Sequence, residues 1–201
     1  MRNSKITLLS ESAVMVALAF ALSSAKLYEM PLGGSVTVAS MLPIMLISVK
    51  YGSLVGVGAG FVYSLTQTFQ ALAAGNVFPY CETGGTLVIC VLFDYIVPFT
   101  VLGLAGIFKN LKLFKKQEIA FYVGIVSVVF VRFLCHFITG VAIWGQWAPD
   151  GMGKYLYSLA YNGSFLGVDF AICIIVAAVM LRKREIRKLV GINDGKISAE
   201  A

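Results

Sequence analysis

A chain of 201 residues that is 59% hydrophobic and only 13% charged is too poor in charge for a soluble domain, where about a quarter of the residues would be charged. With a mean hydropathy of +0.86 it reads as an integral membrane protein, one membrane domain over residues 1–201. The formal charge of +6 does not imply nucleic acid, because fourteen of the sixteen Lys and Arg lie in short stretches between or beyond apolar runs. That pattern sets topology rather than an anion-binding face.

Six apolar stretches follow one another and predict an all-α bundle of six transmembrane helices, at about 6–27, 36–49, 54–74, 86–108, 119–143 and 157–181, with 183–201 as a cytoplasmic tail. Five have the roughly 20 residues that a spanning helix requires, whereas the second would rise only about 21 Å. In the first, ALSSA at 21–25 behind Arg2 and Lys5 has the form of a signal-peptide cleavage site. Retention is the expectation, because Ala13, Ala17 and Ala21 make a small-residue face that a discarded segment would not need. Gly52, Gly56 and Gly60 repeat at the same spacing near the third stretch, and both stripes let a helix approach closely. The glycines are assigned to packing inside the bundle. The alanine stripe fits an internal neighbour or a separate partner equally.

Arg2, Lys5, Lys50, Lys109, Lys112, Lys115, Lys116 and the basic run at 182–188 all fall on one side of this arrangement. The positive-inside rule therefore places both termini in the cytoplasm. The opposite loops, 26–35, 75–85 and 144–157, combine Gly, Pro and aromatic residues with single carboxylates. Trp147 and Tyr155 there read as interfacial anchors. Of the four cysteines, Cys90, Cys135 and Cys173 lie in apolar runs and read as small core residues; no spacing suggests a metal site. There is no phosphate-cradling loop and no HExxH or GxSxG motif, so no catalytic residues are assigned. Any active transport needs energy from another subunit or an ion gradient.

Counting inward from the outer helix ends places three polar side chains at one depth. Asp94 in the fourth stretch, His136 in the fifth and Asn162 in the sixth fall within about 8 to 12 Å of those ends. Tyr95 adjoins Asp94, and Trp144 stands two turns above His136. Ionisable groups at such depth are costly and mark functional sites. A pocket open to the exterior follows, suited to a flat, partly cationic heterocycle. Aromatic faces attract a desolvated cation by about 2 kcal/mol, and the carboxylate offsets the charge or accepts from a ring amino group. Arg132, one turn deeper, and Asp169 lie at matching depth and are expected to form a buried structural ion pair between the fifth and sixth helices.

The run RFLCHFITGVAIWGQWAPDG…YLYSLAYNGS, with LFDYIVPFTVLGLAG before it and GGSVTVASMLPIML near the start, resembles the thiamine-specific S-component (ThiT) family of the energy-coupling factor (ECF) vitamin transporters of bacteria and archaea. The resemblance extends to about residue 182, and the HFITGV–W–YSL–NG series is its most specific part. It implies the ECF S-component fold, with thiamine held near the exterior face beneath the first long loop. It also implies a transmembrane T-component and two cytoplasmic ATPases as partners, with no cofactor in this chain and ATP used by the partners. The location implied is the bacterial plasma membrane, as a multi-pass protein. By matching motif, the ligand residues are Asp94, Tyr95, His136, Gly140, Trp144, Tyr157 and Asn162, with Tyr28 and Glu29 as candidates in the first loop. Ala13, Ala17 and Ala21 become the docking stripe. The family also has a glutamate where Asp94 stands, and FDYIVPF sets the proline apart from a DYP arrangement. Competing readings are an S-component for another vitamin and an ion-coupled carrier of a small cationic heterocycle, with Asp94, His136, Arg132 and Asp169 as its relay. An intramembrane enzyme ranks last, since neither a nucleophile nor a metal set accompanies His136 and Asp94.

Overall fold

The computed structural model describes residues 4–109, 111, 113–114 and 116–192. Arg2, Lys112, Lys115 and tail positions 193–201, which enter the reading of charge and topology, lie outside the described residues.

The described chain is mostly helical: α1 Ser4–Ser24, α2 Leu42–Tyr51, α3 Ser53–Ala74, α4 Gly84–Leu104, α5 Gln117–Ala142, α6 Lys154–Leu181 and the short α7 Arg184–Leu189. Four of these, α1, α4, α5 and α6, are long and apolar enough to cross a membrane. With 22 residues α3 has the length but not the hydropathy, because Thr66, Gln67, Thr68 and Gln70 interrupt its second half. The reason for those polar residues lies in the cavity they approach.

The first third of the chain departs from the expected pattern. The first helix ends at Ser24, and Lys26–Glu29 (β1) pairs antiparallel with Ser35–Thr37 (β2) in a two-stranded sheet. Glu29 stands opposite Ser35 and Lys26 opposite Thr37, with an irregularity between them. Val36 and Thr37, expected at the start of the second helix, are therefore strand. The connecting Pro31–Gly33 turn holds Leu32 and Gly33 at φ 63° and 93°, which reverses the chain, and the β-branched run VTV at 36–38 favours the extended form. The helix that follows, α2, is buried on all sides from Leu42 to Val49. A helix apolar all round belongs inside a bundle, and α2, enclosed by its neighbours, needs no spanning length.

Packing around α2 is close. A Cβ on Gly56 of α3 would lie 2.3 Å from the carbonyl oxygen of Gly103 on α4, and one on Gly60 would lie 2.8 Å from that of Thr100. These glycines bring two backbones into contact within the bundle, whereas Gly52 takes φ 92° at the break between α2 and α3. Ser48 of α2 donates to Gly103 O and accepts from Gly106 N at 2.9 Å, pinning α2 to the end of α4. At the same end Lys109 donates to Val49 O at 2.8 Å, Lys50 pairs with Glu11, and Arg187 of α7 lies 3.4 Å from Glu118. The helix α1 lies at the edge: Val16, Ala19 and Ser23 face the bundle, while Ala13, Ala17 and Ala21 are exposed on its outer side.

One irregularity positions the site. Within α4, Val91–Ile96 is π-helical, with Val97 N–H bonded to Leu92 O five residues back. Pro98 supplies no N–H to the carbonyl of Asp94 and its ring crowds that carbonyl, so the helix widens where FDYIVPF places its proline. Such single π turns occur often at functional sites. Asp94 and Tyr95 sit on this one.

Candidate functional site

The π turn turns Asp94 toward α5, where the antiparallel pair α5 and α6 carries the remaining polar residues. His136 Nδ1 lies 3.0 Å from Asp94 Oδ1, Thr139 donates to the same oxygen, and Trp144 Nε1 donates to Oδ2 at 2.9 Å. A carboxylate offers about four acceptor positions, so these three donors leave one for a further partner. On its other side the imidazole Nε2 accepts a long bond of 3.4 Å from Arg132 Nε. Carboxylate at Nδ1 and guanidinium at Nε2 together select the neutral Nδ1–H tautomer. Asn162 Nδ2 reaches His136 O at 3.1 Å and Ser158 O at 3.0 Å, closing the layer across α6. The three residues placed at one depth by counting thus meet in space.

They border a cavity whose empty space, open mouth included, is about 960 Å³. Its outer part is aromatic, lined by Tyr95, Trp144, Tyr157, Tyr161 and Phe165, with Leu32, Gly33 and Gly34 of the hairpin above. Tyr161 ties that hairpin down: its hydroxyl accepts from Gly34 N at 3.0 Å and donates to Pro31 O. From α1 and α3 come Ser23, Gln67 and Gln70, linked by bonds from Gln67 Nε2 to Ser23 Oγ at 2.8 Å and from Ser23 Oγ to Gln70 Oε1 at 3.2 Å. Among the described residues, no group of three or more His, Cys, Asp or Glu is placed to hold a metal ion.

Asp94, Tyr95, His136, Trp144, Tyr157 and Asn162 all line the cavity, and Gly140, Tyr28 and Glu29 do not. Gly140 packs behind the wall: a Cβ there would lie 2.1 Å from Ser158 Oγ and 2.8 Å from Asn162 Nδ2. It lets α6 approach α5 closely enough for Asn162 to reach His136. Tyr28 points to the surface at 63% exposure. Glu29 is held at the rim by Lys26 at 2.6 Å and Asn76 at 3.1 Å, and the Lys26 bond holds its pKa below the ordinary carboxylate value.

The expected ion pair between Arg132 and Asp169 does not form. Asp169 Oδ1 accepts from Thr37 N at 3.0 Å and Thr37 Oγ1 at 2.8 Å, which fastens β2 to α6. The Arg132 guanidinium lies over the Phe99 ring, 4.3 Å from its centroid, with Nη1 unpartnered. Both residues line the inner part of the cavity instead of locking two helices together. The hairpin takes up one oxygen of the carboxylate, and the Phe99 ring carries the guanidinium.

Sequence reasoning missed Thr139, Tyr161, Phe165, Gln67 and Gln70. A signal was present for each group: Tyr157, Tyr161 and Phe165 recur at every fourth residue of one helix face, Thr139 follows His136 by one turn, and the two glutamines break an apolar run.

Residues 9–188 match the family described as "Thiamine transporter protein (Thia_YuaJ)". The chain is 33% identical over 188 residues to the thiamine transporter ThiT of Bacillus subtilis, covering 89% of this chain and 92% of that protein. It is 27% identical over 149 residues to the thiamine transporter ThiT of Lacticaseibacillus paracasei, covering 70% of each. A solved structure of ThiT from Listeria monocytogenes superposes with a TM-score of 0.70 at 22% identity, over 92% of this chain and 98% of that one, and shares its fold. The family is one of membrane transporters and not of enzymes. A match of this extent settles membership: the chain belongs to the thiamine transporter protein family.

Proposed function

We propose that this protein is the thiamine-binding S-component of an ECF-type importer in the bacterial plasma membrane, capturing thiamine from the exterior. The observation that carries this reading is the carboxylate of Asp94, held by His136, Thr139 and Trp144 at the edge of an aromatic cavity, with one acceptor position spare. A carboxylate among aromatic faces suits a ligand that joins a permanent cation to a flat amino-heterocycle, and thiamine is such a molecule. Asp94, Tyr95, His136, Trp144, Tyr157 and Asn162 contact the ligand, while Gly140 shapes the wall and Tyr28 and Glu29 act at the rim. In this reading the chain forms one membrane domain of six helices, with α2 and α3 completing the four long apolar ones and both termini cytoplasmic. The clustering of Lys50, Lys109 and Arg187 at one end supports that orientation. No sequence motif supplies energy, so a T-component and two ATPases drive transport, docked at the outward-facing Ala13, Ala17 and Ala21.

Titration of the purified protein with thiamine, read by tryptophan fluorescence, tests binding. Reconstitution alone in liposomes tests the division of labour. The expected result is quenching of fluorescence together with no concentrative uptake under a proton or sodium gradient. Accumulation driven by either gradient would establish the ion-coupled carrier instead.

A further inference from the structure

Two thiols meet at the outer end of α4. Cys81 follows the Phe78–Tyr80 turn in the loop before that helix and is half-buried, whereas Cys90 sits about two turns into α4 and is fully buried. All four cysteines are free, and Cys135 and Cys173 are buried inside the bundle. Cys81 and Cys90 are side-chain hydrogen-bond partners of each other. Sulfurs so placed need to approach by only about 2 Å more to share a covalent bond. Cys81 can supply that movement, because its loop is fixed on one side by the reciprocal Thr83–Thr86 cap of α4 and continues on the other into one short turn. The surroundings give the pair a consequence. Cys90 packs with Val77, Ile143 and Trp144, and Phe78 and Cys81 lie against that group. The same loop carries Asn76, which donates to Glu29 at 3.1 Å, and Val77, whose Cγ2 lies 2.5 Å from where a Cβ on Gly33 of the hairpin would stand. Asn76, Val77 and Gly33 all border the cavity. The loop therefore stands between the hairpin and the α4 wall, and a bond at its far end limits how far it can yield.

We propose that Cys81 and Cys90 are a disulfide-forming site, oxidised by low-molecular-weight disulfides, and that the bond tethers this loop and slows passage of the ligand through the cavity mouth. Cys81 reacts first, because it is the one of the pair that solvent reaches. Its thiolate attacks the external disulfide, forms a mixed disulfide and expels one thiolate. Cys90 then gives up its proton and attacks the Cys81 sulfur, expelling the second. Two protein thiols are thereby oxidised to one disulfide, and the external disulfide is reduced to two thiols. The orientation proposed above puts the pair at the exterior, where disulfides persist. The effect on passage rests on the reading of thiamine as the ligand, whereas formation of the bond does not.

The test incubates the purified protein with oxidised glutathione, then denatures it, alkylates the remaining thiols and weighs it by mass spectrometry. Mildly alkaline pH is used, because burial holds the Cys81 thiol above its usual pKa and the thiolate is the reacting form. The expected result is alkylation of two of the four cysteines, a proteolytic fragment in which Cys81 is joined to Cys90, and return to four after dithiothreitol. Protein carrying the bond is expected to release thiamine about fivefold more slowly than the reduced protein, as when a mouth opens less readily. Cys81→Ser cannot form the bond and is expected to release thiamine at the reduced protein's rate with or without oxidant. A stable glutathione adduct on Cys81, a disulfide-linked dimer, or four free thiols after oxidation overturns the site. A fully formed bond with an unchanged release rate overturns the tethering of the mouth. Failure of thiamine to bind overturns the functional reading above, while the thiol count, which needs no ligand, still decides the disulfide.

Discussion

Trp144 Nε1 donates a hydrogen bond of 2.9 Å to Asp94 Oδ2, which joins the loop after α5 to the π turn of α4. The indole is thereby held at 9% exposure against the cavity, whereas Trp147, three residues further along the chain, is 36% exposed and rests on Tyr80. Two tryptophans in one short segment thus have different work. One forms a wall of the site, and the other packs at the surface.

Trp144→Ala is accordingly expected to weaken thiamine binding by about thirtyfold, the equivalent of about 2 kcal/mol for a desolvated cation on an aromatic face. Trp147→Ala should leave the affinity within about threefold. The two dissociation constants, measured by calorimetry so that loss of a fluorophore does not matter, check this. Similar losses from both changes would remove Trp144 from the ligand.

Asp94→Asn keeps the size of the side chain and removes its charge. Charge-assisted hydrogen bonds are roughly twice as strong as neutral ones, so thiamine affinity is expected to fall by at least about tenfold. The bonds from His136, Thr139 and Trp144 weaken together, and a lowered unfolding temperature should accompany the loss. A well-folded Asn variant with wild-type affinity would show that the carboxylate serves the architecture alone.

Much of the site was legible in the sequence because depth along a helix follows from residue number at a fixed rise. Asp94, His136 and Asn162 could be brought together by counting, since each helix meets the membrane near an identifiable end. Direction around the helix axis was less accessible. The π turn at Val91–Ile96 shifts the facing of Asp94, and its one visible cause was Pro98. The choice of partner for Arg132 and Asp169 was not accessible at all. Matching depth suggested an ion pair, yet Thr37 comes from a hairpin that periodicity had assigned to a helix. Once that segment is extended, its backbone N–H needs an acceptor, and Asp169 supplies it.

The outer face of α1 offers the last test. Ala13, Ala17 and Ala21 are exposed along one side, while Val16, Ala19 and Ser23 occupy the side that meets the bundle. A large residue at position 17 therefore enters no internal space, and the hydrogen bonds of Ser23 and Ser24 to Gln67 and Gln70 lie on later turns of the helix. Small residues on a lipid-facing helix permit a second helix to approach closely, and a bulky one holds it away. Ala17→Trp is thus expected to leave the unfolding temperature and thiamine affinity close to wild type while abolishing ATP-driven uptake by the complete transporter. Binding and co-purification with the T-component and ATPases, measured on the same variant, separate the outcomes. Loss of folding together with thiamine binding would return the stripe to internal packing. An intact complex with normal uptake would place the docking face on another helix.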